Sequence, residues 1–193
     1  MKIGYNDLSP TFVFFPDNTY DPGTMTRPQT TEYAPYYSRY VDLVQTEEIV
    51  PELNSQLDKT VSFLSNISEE KSLASYAEGK WTIKEVLNHV NDTERVFLYR
   101  AFWFARGFEQ PLPGYDQDIC VASARPNSVP YTELVDEFMN VRRSTLSIFK
   151  NIPDEAWRRS GVASDNPFTV RALAYIIAGH VDHHRKILEE RYL

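Results

Sequence analysis

Residues 81–106 read WTIKEVLNHVNDTERVFLYRAFWFAR and predict one long helix. Thr82, followed three residues later by Glu85, has the form of a capping box, in which each side chain bonds to the backbone N–H of the other residue. Apolar residues then recur at helical spacing as far as Ala101. Gly107 predicts the end of the helix, because glycine readily adopts the left-handed conformation that follows a helix terminus.

Three further stretches show the same helical period. They predict helices over about residues 48–66, from near Pro130 to about residue 149, and from Thr169, as N-cap, almost to residue 193. Four helices of about 20 residues, each with one apolar face, bury those faces together, so the predicted fold is an all-α four-helix bundle. The connections of roughly 15, 24 and 18 residues are longer than simple hairpin loops, so at least one should cross the length of the bundle. We find no alternating pattern that predicts a strand.

Residues 1–39 differ from the rest of the chain. They contain five prolines and several tyrosines and show no helical period. Prolines at this density favour extended or irregular backbone over helix. We therefore predict an extended N-terminal arm over residues 1–39 and a helical domain over residues 40–193.

The composition excludes several classes of protein. Lys and Arg number 20 and Asp and Glu 27, which gives a formal charge of −7 and disfavours nucleic acid as a partner. The single cysteine, Cys120, cannot form an intrachain disulfide, and the neighbouring aspartates disfavour it as a nucleophile. No stretch is long and apolar enough to predict a membrane span or a secretory signal, so we expect a cytoplasmic protein.

The four histidines fall in two places, and three of them suggest a metal site. His180 and His184 are about 40° apart on a helical wheel and one turn apart along the axis, so both rings can reach one ion. They lie within the apolar stripe of their helix and should face the bundle interior. His89 lies at the edge of its own stripe, which favours a site in a cleft. His183 is displaced from the pair.

The residues around these histidines resemble a known family. Residues 81–89, WTIKEVLNH, are similar to the W-[ST]-x-x-E-x-L-x-H signature of the DinB/YfiT-like proteins. Residues 180–184, HVDHH, are similar to the second motif of that family, H-x-x-H-H. The resemblance covers about residues 36–193 and leaves most of the arm without a counterpart.

The resemblance implies a bundle of up-up-down-down topology with a three-histidine metal site. The ligands of the family correspond to His89, His180 and His184, with His183 near the site but outside it. Family members with assigned activities are mostly transferases and isomerases that use low-molecular-weight thiols such as bacillithiol or mycothiol. Many others are described only as metal-dependent hydrolases or damage-inducible proteins. Dimers are common among them, so a homodimer is one expectation.

Three imidazole ligands leave a divalent ion with an open coordination position for a water or a thiol. A metal-dependent hydrolase and a thiol S-transferase, each with a small-molecule substrate, therefore remain as alternatives. Imidazole suits Zn, Ni, Cu or Fe, so the residues do not identify the metal. A third alternative is a metal- or small-molecule-binding protein of a stress response without turnover, and a fourth is a helical domain whose histidines are purely structural.

Other polar residues near the motifs are candidates for supporting roles. Asp92, one turn after His89, is the candidate catalytic acid or base, and Asp92, Asp182 or Glu85 could accept a hydrogen bond from a ligand imidazole. Three arginines, Arg95, Arg100 and Arg171, could recognise an anionic substrate or form ion pairs with the many carboxylates.

Overall fold

The computed structural model describes residues 26–193. Within this range seven α-helices form, four of them long, in addition to short 3₁₀ turns and one β-hairpin. The helices are α1 (Ser38–Val41), α2 (Ile49–Leu64), α3 (Glu69–Ser72), α4 (Ile83–Ala105), α5 (Gln117–Ala124), α6 (Tyr131–Phe149) and α7 (Val170–Arg191). The hairpin is β1 (Ser160–Ala163) and β2 (Asn166–Thr169).

The four long helices form a bundle, which confirms the predicted fold class. Helix α4 packs against α6 and α7, and α2 packs against the same two helices. Each long helix therefore has two long neighbours, with α2 diagonally opposite α4. The up-up-down-down order of helix directions stays a prediction. Across residues 26–193, no helix combines the length and the apolar character that a bilayer crossing requires.

The predicted helix ends agree with the structure because the caps form as the sequence suggests. The Thr82 hydroxyl accepts from the Glu85 N–H, and the Glu85 carboxylate accepts from the Thr82 N–H, which completes the capping box of α4. The Thr169 hydroxyl accepts from the Ala172 N–H at the start of α7. Gly107 follows α4 with φ +80°, the left-handed conformation that glycine adopts without steric cost.

The expectation that the chain contains no strand is wrong. Strands β1 and β2 pair antiparallel, with Ser160 opposite Thr169 and Ala163 opposite Asn166. Ser164 and Asp165 form the two-residue loop, both with positive φ, as a tight hairpin turn requires. The hairpin leads directly into the N-cap of α7. Helix α5, which carries Cys120, was not predicted from the helical period either.

The last part of the predicted arm packs onto the bundle. Residues 1–25 lie outside the described residues, but residues 26–39 include a 3₁₀ turn at Pro35–Tyr37 and the start of α1. The buried Glu32 carboxylate accepts hydrogen bonds from the Arg171 guanidinium and the Thr169 hydroxyl. These contacts attach this segment to the start of α7. The division at residues 39 and 40 stays a prediction.

A buried polar layer separates two apolar clusters in the bundle. Each of the four long helices contributes to both clusters. One cluster contains Leu53 of α2, Phe97 of α4, Leu146 of α6 and Ile177 of α7. The other contains, in the same helix order, Leu64, Leu87, Phe138 and Val181. We define the polar layer as Gln56, Glu94, Arg142 and Thr145, which lie between those cluster members in sequence and are all buried.

Hydrogen bonds within the polar layer connect all four long helices. Arg142 donates from Nε and Nη2 to the two oxygens of Glu94, each at 2.8 Å, and from Nη1 to Gln56 Oε1 at 2.7 Å. Gln56 Nε2 in turn donates to the Ala178 carbonyl at 2.9 Å. The Thr145 hydroxyl donates to Glu94. Since His89 lies five residues before Glu94 and His180 two residues after Ala178, the layer fixes the helix segments that carry the histidines.

Candidate metal centre

Three imidazoles from helices α4 and α7 converge in the bundle. The Nε2 atom of His180 lies 3.1 Å from Nε2 of His89 and 3.1 Å from Nε2 of His184. One nitrogen from each ring lies within 4.8 Å of the other two. His89 and His180 are each 4% exposed and His184 is partly exposed. The spacing deduced from the sequence is therefore realised, although His89 is more buried than an edge position suggests.

The arrangement suits a metal ion better than hydrogen bonding among the rings. An imidazole nitrogen offers one hydrogen or one lone pair, so Nε2 of His180 can form a linear hydrogen bond with only one of its two neighbours. Three nitrogens at about 2.1 Å from a tetrahedral ion would lie roughly 3.4 Å apart, close to the observed separations. The three residues therefore fit a divalent ion in geometry and in ligand type.

The electrostatic surroundings keep these imidazoles neutral. Burial, with the neighbouring His183, lowers the pKa of His89 to about 4. Burial and the adjacent histidines lower the pKa of His180 and of His184 well below the ordinary value of 6.5. Neutral imidazole is the form that offers a lone pair to a metal, so the site has the protonation state that binding needs at neutral pH.

This burial gives a prediction for the metal-free protein. The unfolded chain binds protons on these histidines below about pH 6.5, whereas the folded chain does not until far lower pH, so the free energy of unfolding should fall as the pH falls. His89 alone should account for about 2 kcal/mol between pH 7.5 and pH 5. Urea unfolding in the presence of a chelator measures this. His89→Asn should flatten the dependence, and equal wild-type stability at both pH values would contradict the prediction.

The outer contact of His89 is a hydroxyl and not the expected carboxylate. Nδ1 of His89 lies 3.3 Å from the Thr93 hydroxyl, which is also hydrogen bonded to the Tyr115 hydroxyl. The Glu85 carboxylate is used by the capping box of α4. Asp182 forms an ion pair with Arg185 at 3.6 Å. Nδ1 of His184 is buried and has no hydrogen-bond partner among the described residues.

Asp92 follows His89 by three residues in sequence but points to other partners. Its Oδ2 accepts from Asn88 Nδ2 at 2.8 Å, and its Oδ1 pairs with Arg95 at 3.3 Å. Burial raises the pKa of this carboxyl against the opposing effects of Arg95 and Asn88. His183 stays outside the group of three: its ring packs against Tyr40, with centroids 5.3 Å apart.

A cavity of about 170 Å³ adjoins the histidines. Helix α4 contributes His89, Thr93, Phe97 and Arg100 to its wall, and α7 contributes His180. The rest of the wall consists of aromatic and neutral polar residues from outside the long helices: Tyr36, Tyr37, Tyr40, Tyr115, Gln117 and Ser164. The cavity therefore has room for a small molecule next to two of the three imidazoles.

Several of these residues were not predicted from the sequence. Thr93 had an available signal, since it follows His89 by one helical turn on the same face. Tyr115 precedes α5 in a connection without periodicity, and Tyr37 lies in the tyrosine-rich segment, so nothing in their spacing indicated contact with the site. These side chains reach the cavity only through the tertiary fold.

The family model of the DinB superfamily matches residues 52–188, which include all three histidines. The chain belongs to the DinB superfamily. This membership confirms the resemblance noted from the two histidine motifs. Curated proteins gave no significant sequence match.

Two solved structures of DinB-like proteins share the fold. YfiT from Bacillus subtilis, described as a probable metal-dependent hydrolase with an unusual four-helix bundle topology, aligns with a TM-score of 0.63 and 14% identity over 84% of this chain and 89% of that one. A mycothiol-dependent maleylpyruvate isomerase aligns with a TM-score of 0.63 and 14% identity over 76% of this chain. The alignment spans only 61% of the isomerase. At these identities the similarity establishes the fold alone.

Proposed function

We propose that this DinB-superfamily protein is a metal-dependent enzyme that acts on a small molecule. His89, His180 and His184 would hold one divalent transition metal, and the adjoining cavity would hold the substrate. The observation that carries the proposal is the convergence of three neutral imidazole nitrogens, two of them from residues that line a cavity. The fold shared with YfiT and with the mycothiol-dependent isomerase supports it.

The chemistry divides between the metal and the residues of the chain. A divalent ion with an open position supplies a Lewis acid that lowers the pKa of a water or a thiol, so both hydrolysis and thiol S-transfer remain as reaction types. The histidines fix the position of this ion. Thr93, held by Tyr115, orients the His89 ring through Nδ1. The aromatic wall of the cavity binds the apolar part of a substrate and excludes water.

We also propose that Asp92 takes part in proton transfer. Its carboxylate is not part of the cavity wall, but Tyr115 is. Burial raises the pKa of the Tyr115 phenol to about 12, and the charge of Asp92 adds to this shift. Asp92 would therefore influence the substrate through Tyr115. The raised pKa of Asp92 itself favours a group that can release and accept a proton.

Metal content tests the ligand set. Protein purified without added metal should carry close to one ion per chain by mass spectrometry of the metal. His184→Ala should lower the affinity by more than the roughly 10- to 100-fold that follows loss of an outer contact. His183→Ala is the matched control, since it removes the adjacent histidine of α7 and should keep the ion. Equal trace metal in the wild type and in His184→Ala would refute the proposed site.

Turnover separates an enzyme from a binding protein. The metal-loaded protein is incubated with ester and amide substrates, and with a thiol panel together with monobromobimane or chlorodinitrobenzene. We expect turnover in one of these two classes that stops when the metal is chelated, and a lower rate in Asp92→Asn at unchanged metal content. A stoichiometric metal without turnover in any assay would instead favour a non-catalytic metal-binding protein.

A further inference from the structure

The guanidinium of Arg100 is a buried positive charge that pairs with no carboxylate among residues 26–193. Arg100 is 3% exposed. Its Nη2 donates to the Pro113 carbonyl at 3.2 Å and to the Ser164 hydroxyl at 2.8 Å, and the nearby Tyr37 hydroxyl is an electrostatic partner. All three partners are neutral. Arginine stays protonated in proteins, so within the described part of the chain this buried positive charge is stabilised by dipoles and by the Phe97 ring but by no negative charge.

The other buried arginines of residues 26–193 have the carboxylate partner that Arg100 lacks there. Arg142 binds both oxygens of Glu94, and Arg171 binds both oxygens of Glu32. Arg95, which is largely exposed, pairs with Glu137 at 2.7 Å. Paired carboxylates are the usual solution for a buried guanidinium, because removing a charge from water costs several kcal/mol. Arg100 departs from this pattern, and its side chain lines a cavity.

The cavity joins this charge to the proposed metal centre. His89, Phe97 and Arg100 all line it from helix α4. The Cα atoms of His89 and Arg100 are about 16 Å apart along the helix axis, and long side chains lean toward the N-terminus of a helix, so the guanidinium leans toward the histidines. The Phe97 ring lies between them, 5.6 Å from the Arg100 guanidinium carbon. No Asp or Glu of the described residues belongs to the wall.

We infer that the ligand of this cavity is a small carboxylic acid, with its carboxylate on Arg100 and its reacting group at the histidines. The inference rests on the proposed function for the reacting end. One guanidinium matches one carboxylate in charge, and a charge-assisted hydrogen bond to a carboxylate is stronger than the bonds to neutral groups that Arg100 now makes. The Tyr37 hydroxyl beside Arg100 adds a donor, and Phe97 contacts the apolar middle of the molecule. With a divalent ion in place, both ends of the cavity are positive, whereas the chain as a whole carries −7.

Two matched probe series test this inference on the full chain loaded with Co²⁺. One series consists of ω-mercaptocarboxylic acids of increasing length, and the other of ω-mercaptoalcohols of the same length. The thiol coordinates cobalt, and the resulting absorption band reports binding. We expect the acid to bind about 10- to 100-fold more tightly than the alcohol at one optimal length. Arg100→Gln should remove this preference and keep the band, whereas Arg95→Gln should leave both unchanged.

The outcomes distinguish this inference from the proposed function. Equal affinities of acids and alcohols for the wild type, with the cobalt band present, overturn the carboxylate inference without recourse to any variant. No uptake of Co²⁺ means that the proposed metal function fails, whereas uptake without a band for any thiol excludes only the thiol route. In either case calorimetry with 4-phenylbutyrate and 4-phenylbutanamide on the metal-free protein decides the anion site alone. If the wild type prefers the acid and Arg100→Gln does not, the anion site is supported. Equal binding of the acid and the amide to the wild type overturns it.

Discussion

Arg142→Met should lower the free energy of unfolding by about 3–5 kcal/mol, a large part of the total stability of a typical domain. The Arg142 and Glu94 side chains are 0% and 2% exposed, and the guanidinium binds both carboxylate oxygens. Methionine fills a similar volume but leaves Glu94 buried without its counter-charge. The hydrogen bonds to Gln56 and to the Leu53 carbonyl are lost as well. Equilibrium unfolding in urea measures the change.

A double variant and a surface control define the cause of this loss. Glu94→Leu combined with Arg142→Met removes both charges and should recover most of the stability, since apolar replacements of a buried ion pair are often neutral. Arg95→Met breaks an exposed pair and should cost about 1 kcal/mol or less. If the double variant is as unstable as the single one, the uncompensated charge is not the reason for the effect.

Gly179→Ala should be destabilising by about 3 kcal/mol, although alanine normally stabilises a helix interior by about 1 kcal/mol relative to glycine. A Cβ atom at this position of α7 would lie 2.0 Å from the backbone carbonyl oxygen of Tyr40. Backbone cannot rotate aside as a side chain can, so α1 must move. Because the Tyr40 ring packs on His180 with centroids 5.2 Å apart, this movement should also weaken metal binding.

Thermal or urea unfolding and metal titration check this expectation. Gly114→Ala is the control, since a Cβ there would lie 3.4 Å from the Ser164 side chain, which is ordinary van der Waals contact. This variant should change the free energy of unfolding by less than about 0.5 kcal/mol. A Gly179→Ala variant that is more stable than the wild type and binds metal normally would show that α1 can shift at no cost. The close approach of α1 to α7 would then have no structural importance.

The sequence predicted the long helices because their determinants are local. A capping box at Thr82 and Glu85 and the N-cap at Thr169 need only residues within one helical turn, and they form as expected. The pairing of His180 with His184 follows from the helical period alone. The meeting of His89 with this pair depends on the packing of α4 against α7, so the sequence indicated it only through the edge position of His89 and through the family resemblance.

The missed elements lack local signals. Strands β1 and β2 have four residues each and contain Gly161 and Pro167, which are unfavourable in strands. Their turn places Ser164 and Asp165 at positive φ, where asparagine and glycine would have given a recognisable signal. Likewise Glu94 and Arg142 are charged residues on amphipathic helices, and nothing in their own neighbourhoods shows that they are buried against each other.

The polar layer also limits how the gene can change length. Glu94 and His89 are separated by five residues on α4, and one inserted residue between them would rotate one against the other by about 100°. Either the ion pair with Arg142 or the approach of His89 to His180 would then be lost. Insertions and deletions should therefore be tolerated in the connections between helices but not among the four residues of α4 between His89 and Glu94. The bond from Gln56 to the Ala178 carbonyl imposes the same constraint on α7, only two residues before His180.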